Sequence, residues 1–105
     1  MAAQTFVQQA IAKSPVTLFT KASCPYCNKI KQVLNGQKVK FDDYSIETRS
    51  DIAEVQDYLQ QITGARTVPR VFIGGKSVGG CDDTVKLVEQ GKLIQMVKAA
   101  GGQVA

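Results

Sequence analysis

Apolar and polar positions along this chain repeat at two periods, and the switches between them divide it into nine elements. Phe6, Val7, Ala10 and Ile11 fit one face of a short N-terminal helix. Val16-Thr17-Leu18-Phe19-Thr20 is rich in β-branched and large apolar residues, which predicts a strand. Cys27, Ile30, Val33 and Leu34 then recur at helical spacing. Pro25 suits the first position of that helix, where its missing N–H costs nothing, and Gly36 is the expected stop. A second strand is expected within Val39 to Ile46.

The clearest helix follows. Ile52, Val55, Leu59 and Ile62 mark its apolar face, and Gly64 stands where helix C-caps favour glycine. Val71-Phe72-Ile73 and Lys76-Ser77-Val78 flank Gly74-Gly75, a strong hairpin signal. Asp82 is placed to cap a helix running through Val85 and Leu87. Gly91 separates it from a last helix bearing Leu93, Ile94 and Val97. The order is α-β-α-β-α-β-β-α-α. A β-α-β start requires parallel strands, and the glycine hairpin requires an antiparallel pair. The chain therefore predicts an α/β fold with a mixed sheet of about four strands and helices on both faces.

Length and charge narrow the picture. The 105 residues suit one domain, 1–105. No apolar run approaches the roughly 20 residues of a membrane helix, and the N-terminus lacks the basic region and apolar core of a secretory signal. Residues 1–41 hold six lysines and no acidic residue, whereas the remainder nets −2. Nucleic acid is a poor match, because basic residues do not cluster with interleaved aromatics. Three cysteines, an odd and small number, do not resemble a secreted disulfide scaffold. A reducing, cytoplasmic setting is expected.

In such a setting Cys24-Pro25-Tyr26-Cys27 is the most informative motif. Two cysteines three apart on a helix share a face. A thiol at the helix N-terminus meets unpaired N–H groups and the positive end of the dipole, both of which favour thiolate, the nucleophile of disulfide exchange. Zinc takes about four ligands; three cysteines without histidine fall short, and no metal is expected. A structural disulfide across so small a loop adds little. A redox dithiol within a β-α-β pattern is the expected chemistry. Cys24, at the helix mouth, is expected to be the exposed nucleophile. Cys27, one turn inside with Ile30 and Leu34, is expected to be the covered resolving thiol.

Lys21, Cys24-Pro25-Tyr26-Cys27, Thr67-Val68-Pro69 and Gly79-Gly80-Cys81-Asp82-Asp83, in that order and spacing, resemble a dithiol glutaredoxin of the thioredoxin superfamily. The stretch Gln56 to Gly80 is similar to the vertebrate cytosolic type, and the resemblance covers essentially the whole chain. It implies a thioredoxin-like three-layer sandwich. It also implies a cis Val68–Pro69 bond facing the active cysteine, and a glutathione site. Lys21 and Arg66 would meet the glycyl carboxylate, with Gln56 as a hydrogen-bonding neighbour. Amides of Gly80, Cys81, Asp82 and Asp83 at a helix start would hold the γ-glutamyl carboxylate, and Asp83 would pair with its ammonium. Thr67, Val68 and Pro69 would complete the groove. Plain helix capping and dipole pairing account for Asp82 and Asp83 as well. Tyr26 is either a surface aromatic or a cover over the bound sulfur. Cys81 is either a small packed residue or a site of regulatory oxidation.

The activity implied is glutathione-dependent thiol–disulfide exchange. It would remove glutathione from modified protein thiols and reduce protein disulfides, with glutathione as co-substrate and glutathione disulfide recycled by glutathione reductase. A monomer without nucleic-acid or membrane partners is expected. The alternative from a binding class is a glutathione-ligated iron–sulfur carrier; Pro25 argues against it, since relatives of that kind generally carry Gly or Ser in place of Pro25 or Cys27. A thioredoxin would usually show Trp-Cys-Gly-Pro-Cys, and this chain has no tryptophan.

Overall fold

The computed structural model describes residues 2–105. Helix α1 (Ala2–Lys13) leads into strand β1 (Val16–Thr20), helix α2 (Pro25–Gly36) and strand β2 (Asp42–Ser45). Helix α3 (Ile52–Thr63) precedes the hairpin of β3 (Arg70–Ile73) and β4 (Lys76–Gly79), followed by α4 (Cys81–Glu89) and α5 (Leu93–Ala99). The sheet order is β2-β1-β3-β4. β1 pairs with β2 in parallel and with β3 antiparallel, and β3 pairs with β4 antiparallel. This is the mixed four-stranded sheet that the element order predicts.

Both central strands are buried on both faces, so their apolar residues do not alternate strictly with exposed polar ones. The pleat sends successive side chains to opposite sides. Val16, Leu18, Val71 and Ile73 join Ile30 and Leu34 of α2 and Leu93 and Val97 of α5 in one core. Phe19 and Phe72 join Val7 and Ile11 of α1 and Val55 and Leu59 of α3 in the other. The molecule is therefore three layers, with the sheet in the middle. Ile30 and Leu34 are fully buried, each contributing ~1.5–3 kcal/mol of hydrophobic stabilisation. Arg49 lies over the Phe6 ring at 3.8 Å and holds α1 against the loop after β2. Among the described residues no helix is long and apolar enough to cross a membrane.

Four local expectations are corrected. The second strand covers only Asp42–Ser45; Val39 forms a separate bridge with Val104. The sequence Asp-Asp-Tyr-Ser carries little apolar signal, and tertiary partners make it a strand. Thr20 donates to Asp43 at 2.6 Å, Lys31 of α2 pairs with the same carboxylate at 2.6 Å, and Tyr44 stacks on Phe19 with centroids 5.9 Å apart.

Gly36 does not stop α2; it is the last helical residue. The reversal falls at Lys38, with φ of 60°. The Lys38 N–H donates to Asn35 and the Val39 N–H to Leu34, each at 3.0 Å, the paired bonds of a Schellman ending. Val39 and Leu34 then share a core, and that contact sets the position of the turn. Ile62, expected on the apolar face of α3, is 37% exposed, because the helix ends one turn beyond its last buried residue, Leu59. Asp82 does not cap α4. The helix starts at Cys81, with Gly80 as N-cap in extended backbone, and Asp83 supplies the capping carboxylate. Gly64 does end α3, in the left-handed conformation expected there.

Candidate functional site

Three chain segments meet beyond the ends of β1 and β3. The first is the start of α2. β1 ends at Thr20, and the Cys24 N–H closes a turn onto the Lys21 carbonyl at 3.2 Å. Cys24 is the N-cap of α2 and Pro25 its first residue. The Cys24 sulfur accepts the Cys27 N–H at 3.3 Å. A sulfur thus occupies the place usually taken by a Ser or Asp oxygen, at the positive end of the helix dipole. No acidic residue occupies the first turn, so among the described residues this sulfur is the side chain that caps it.

Cys24 is half-buried and Cys27 fully buried. Burial, reinforced by the hydrogen bond with Cys24, pushes the Cys27 thiol up to about 12, against weaker opposing effects from the Lys21 backbone and Lys31. Cys27 is therefore protonated at neutral pH and stands beside Cys24 as a thiol.

The second segment is the Thr67–Arg70 loop. The Val68–Pro69 bond is cis, as the family resemblance implies. The Cys24 thiol donates to the Val68 carbonyl at 3.8 Å. The third segment is the start of α4, where the Gly80 N–H donates to Asp83 Oδ2 at 3.1 Å and the Thr84 hydroxyl to the Gly80 carbonyl at 2.8 Å. Gly79 has φ of 106°. A Cβ there would run into the Asp83 carboxylate, so the chain enters α4 only with glycine at this position. Burial raises the pKa of the Cys81 thiol at the first position of α4; the opposing charge of Lys29 is a smaller effect.

The segments enclose a pocket of about 370 Å³, lined by Tyr26, Thr67, Val68, Pro69, Arg70, Gly80, Cys81, Asp82 and Asp83. That volume is within the range of small-ligand sites, roughly 300–1,000 Å³. Tyr26 is 58% exposed at its rim. A larger cavity, about 500 Å³, lies between Lys38, Lys40, Lys98 and residues 102–105. No cysteine or carboxylate side chain lines it, so it is not the centre of thiol chemistry.

Eight of the sequence-predicted residues line the pocket. Lys21 is half-buried at the end of β1 and not part of the lining. Gln56 donates to the Arg66 carbonyl at 3.0 Å, so these two do adjoin. The Arg66 guanidinium, however, lies 3.3 Å from Asp57, on the exposed side of α3. Arg70 is the lining residue that the sequence reading passed over. Its signal was a single arginine between the Thr-Val-Pro motif and an otherwise apolar strand. Among the described residues no cluster of three or more metal-ligating side chains occurs.

The comparisons with known proteins agree in kind. The glutaredoxin family model matches residues 16–78. Glutaredoxin-1 from Oryctolagus cuniculus is 44% identical over 102 residues, covering 94% of this chain and 96% of that protein. Glutaredoxin-1 from Bos taurus is 45% identical, with the same coverage. The crystal structure of the buckwheat glutaredoxin–glutathione complex superimposes with a TM-score of 0.93 at 36% identity, over 99% of this chain and 94% of that one.

Proposed function

Because this chain belongs to the glutaredoxin family, we propose that it is a glutathione-dependent thiol–disulfide oxidoreductase working through Cys24 and Cys27. The family supports thiol–disulfide oxidoreductase activity in general. The observation that carries the finer reading is the Cys24 sulfur, capped onto α2 by the Cys27 N–H at 3.3 Å and facing the Val68 carbonyl at 3.8 Å beside the pocket. The buckwheat relative was solved with glutathione, which supports the same co-substrate for this chain.

In the proposed reaction the Cys24 thiolate attacks the glutathionyl sulfur of a protein–glutathione mixed disulfide. A Cys24–glutathione disulfide forms, and the protein thiolate leaves and takes a proton from solvent. A second glutathione thiolate attacks the glutathionyl sulfur, returning Cys24 and releasing glutathione disulfide, which glutathione reductase would recycle. With a protein disulfide, Cys24 forms the mixed disulfide and Cys27 resolves it. Two electrons pass to the substrate, and a Cys24–Cys27 disulfide remains.

Glutathione would lie with its γ-glutamyl end at the first turn of α4, where the amides of Cys81, Asp82 and Asp83 point outward and Asp83 carries the charge to meet the ammonium. Thr67, Val68 and Pro69 would line its middle and Tyr26 cover the sulfur. The glycyl carboxylate would lie toward Lys21 and Arg66, with Arg66 leaving Asp57. An exposed pair of that kind is worth only about 0–1 kcal/mol, so the exchange is cheap. The odd cysteine count supports a reducing, cytoplasmic setting, and we propose a monomer.

The test is a coupled assay with glutathione, glutathione reductase and a glutathionylated peptide. Cys24→Ser is expected to abolish turnover and Cys27→Ser to retain much of it. Equal loss in both variants would defeat the assignment of roles. Serine is a favoured N-cap, so Cys24→Ser should lose activity without losing stability.

A further inference from the structure

The wall at the start of α4 is more acidic than a carboxylate-binding surface should be. Asp82 and Asp83 both lie in the first turn, and the Asp83 carboxylate already accepts the Gly80 N–H. A γ-glutamyl group brings another carboxylate to the same turn, and the helix dipole supplies only roughly half an elementary charge against them.

Among the described residues lining this pocket, Arg70 is the one cation. Its position follows from the hairpin. Val71 pairs with Gly79, so the preceding Arg70 runs alongside Gly80. Arg70 Nε donates to the Pro69 carbonyl at 3.0 Å, which fixes the guanidinium against the Thr67–Arg70 loop. A Cβ on Gly80 would stand 2.7 Å from Nη2. The guanidinium therefore spans from one wall of the pocket to the other, close over Gly80. It takes part in none of the ion pairs formed among the described residues. Burial makes its charge costlier to hold, and the nearby Asp83 partly offsets that cost.

We propose that Arg70 is a specificity-determining residue of this pocket, whose guanidinium offsets Asp82 and Asp83 so that a γ-glutamyl carboxylate can bind at the first turn of α4. The proposal rests on the glutathione-binding function and adds the device that makes an acidic helix start compatible with it. With Arg70 in place the three side chains net −1, which suits a group carrying both an ammonium and a carboxylate. Without Arg70 they net −2 and favour the ammonium alone.

The test uses the full chain and one peptide carrying either of two mixed disulfides, with glutathione or with cysteinylglycine, which lacks the γ-glutamyl group. Arg70→Gln is expected to lower kcat/KM for the glutathionylated peptide by about five- to tenfold, through KM with kcat held. For the cysteinylglycine peptide the change should stay under about twofold. Adding Asp82→Asn to Arg70→Gln should recover much of the loss, because it restores the charge balance without restoring the guanidinium.

A loss equal on both peptides, a loss in kcat alone, or no recovery in the double variant would overturn the proposal and leave Arg70 a structural strut. Should Arg70→Gln fail to fold, Asp82→Asn alone carries the test. It should lower KM for the glutathionylated peptide, and an unchanged or higher KM overturns the idea. A different result, wild-type protein that turns over both peptides equally, would remove the glutathione groove itself.

Discussion

The two helix starts that face the pocket are built on opposite plans. α2 begins with a sulfur as its cap and no acidic residue in its first turn. α4 begins with glycine as its cap, a carboxylate reaching back to that glycine, and two acidic residues in its first turn. Both expose unpaired amides and the positive end of a dipole. At α2 that field is left to one reactive group. At α4 it is largely neutralised by the chain's own carboxylates, with Arg70 alongside. The difference fits the two tasks proposed above, presenting one sulfur at α2 and receiving a ligand with charges of both signs at α4.

Breaking the α4 start should have the largest effect. Gly79→Ala forces a side chain into a left-handed position and against the Asp83 carboxylate, costing about 2–4 kcal/mol. Denaturant unfolding should show that loss, together with weakened turnover of a glutathionylated peptide. Stability like that of wild type would mean that the turn can relax and that its shape is not what positions Asp83.

The α2 start has its own signature, one of pH. The Cys27 thiol titrates at about 12 when folded against an ordinary 9.0. An acid held protonated by the fold stabilises it below the unfolded value, and that contribution is lost as pH rises. Stability should therefore fall between about pH 9 and 12, with Cys81, whose pKa is also raised, adding to the slope. Cys27→Ala should flatten the curve relative to wild type across this window. Parallel curves for the two proteins would argue that Cys27 is not held as a thiol.

Asp83→Ala sharpens the contrast from the other side. It removes the bond to the Gly80 N–H and should cost about 1 kcal/mol, where Cys24→Ser costs activity alone. The mildest effect lies at the far end of α2. Lys38 is held at φ of 60°, whereas α4 and α5 reverse through Gly91 and Gly101 with the same bond pattern. Lys38→Gly should stabilise the chain by about 0.5–1 kcal/mol without touching the pocket, as a thermal shift would show.

Local signals carry some elements well, but not the ending of α2, the burial of Ile62 or the cap of α4. β1, α3 and the β3–β4 hairpin follow from apolar periodicity and from Gly64 and Gly74-Gly75, because their signals lie within a few residues of each other. β2 escaped because its pairing depends on Thr20, Lys31 and Phe19, none of them sequence neighbours. The α2 ending escaped because a contact between Leu34 and Val39 outweighs the preference of Gly36. In the site, the motifs named eight of the nine residues that line the pocket, and with them Lys21, Gln56 and Arg66, which do not line it; they did not give the electrostatics. Nothing near Arg70 in sequence marks it as the neighbour of Gly80.

The amino-acid sequence alone therefore determined the order of elements, the layers they form and the placing of two cysteines three apart at a helix start, since periodicity and a four-residue motif are local properties. Only the tertiary structure decided that the starts of α2 and α4 converge on one pocket, that an acidic helix start has an arginine beside it, and that a polar segment becomes an edge strand. Each of these depends on which distant residues meet, and the free energy of such meetings belongs to the folded chain as a whole rather than to any one segment.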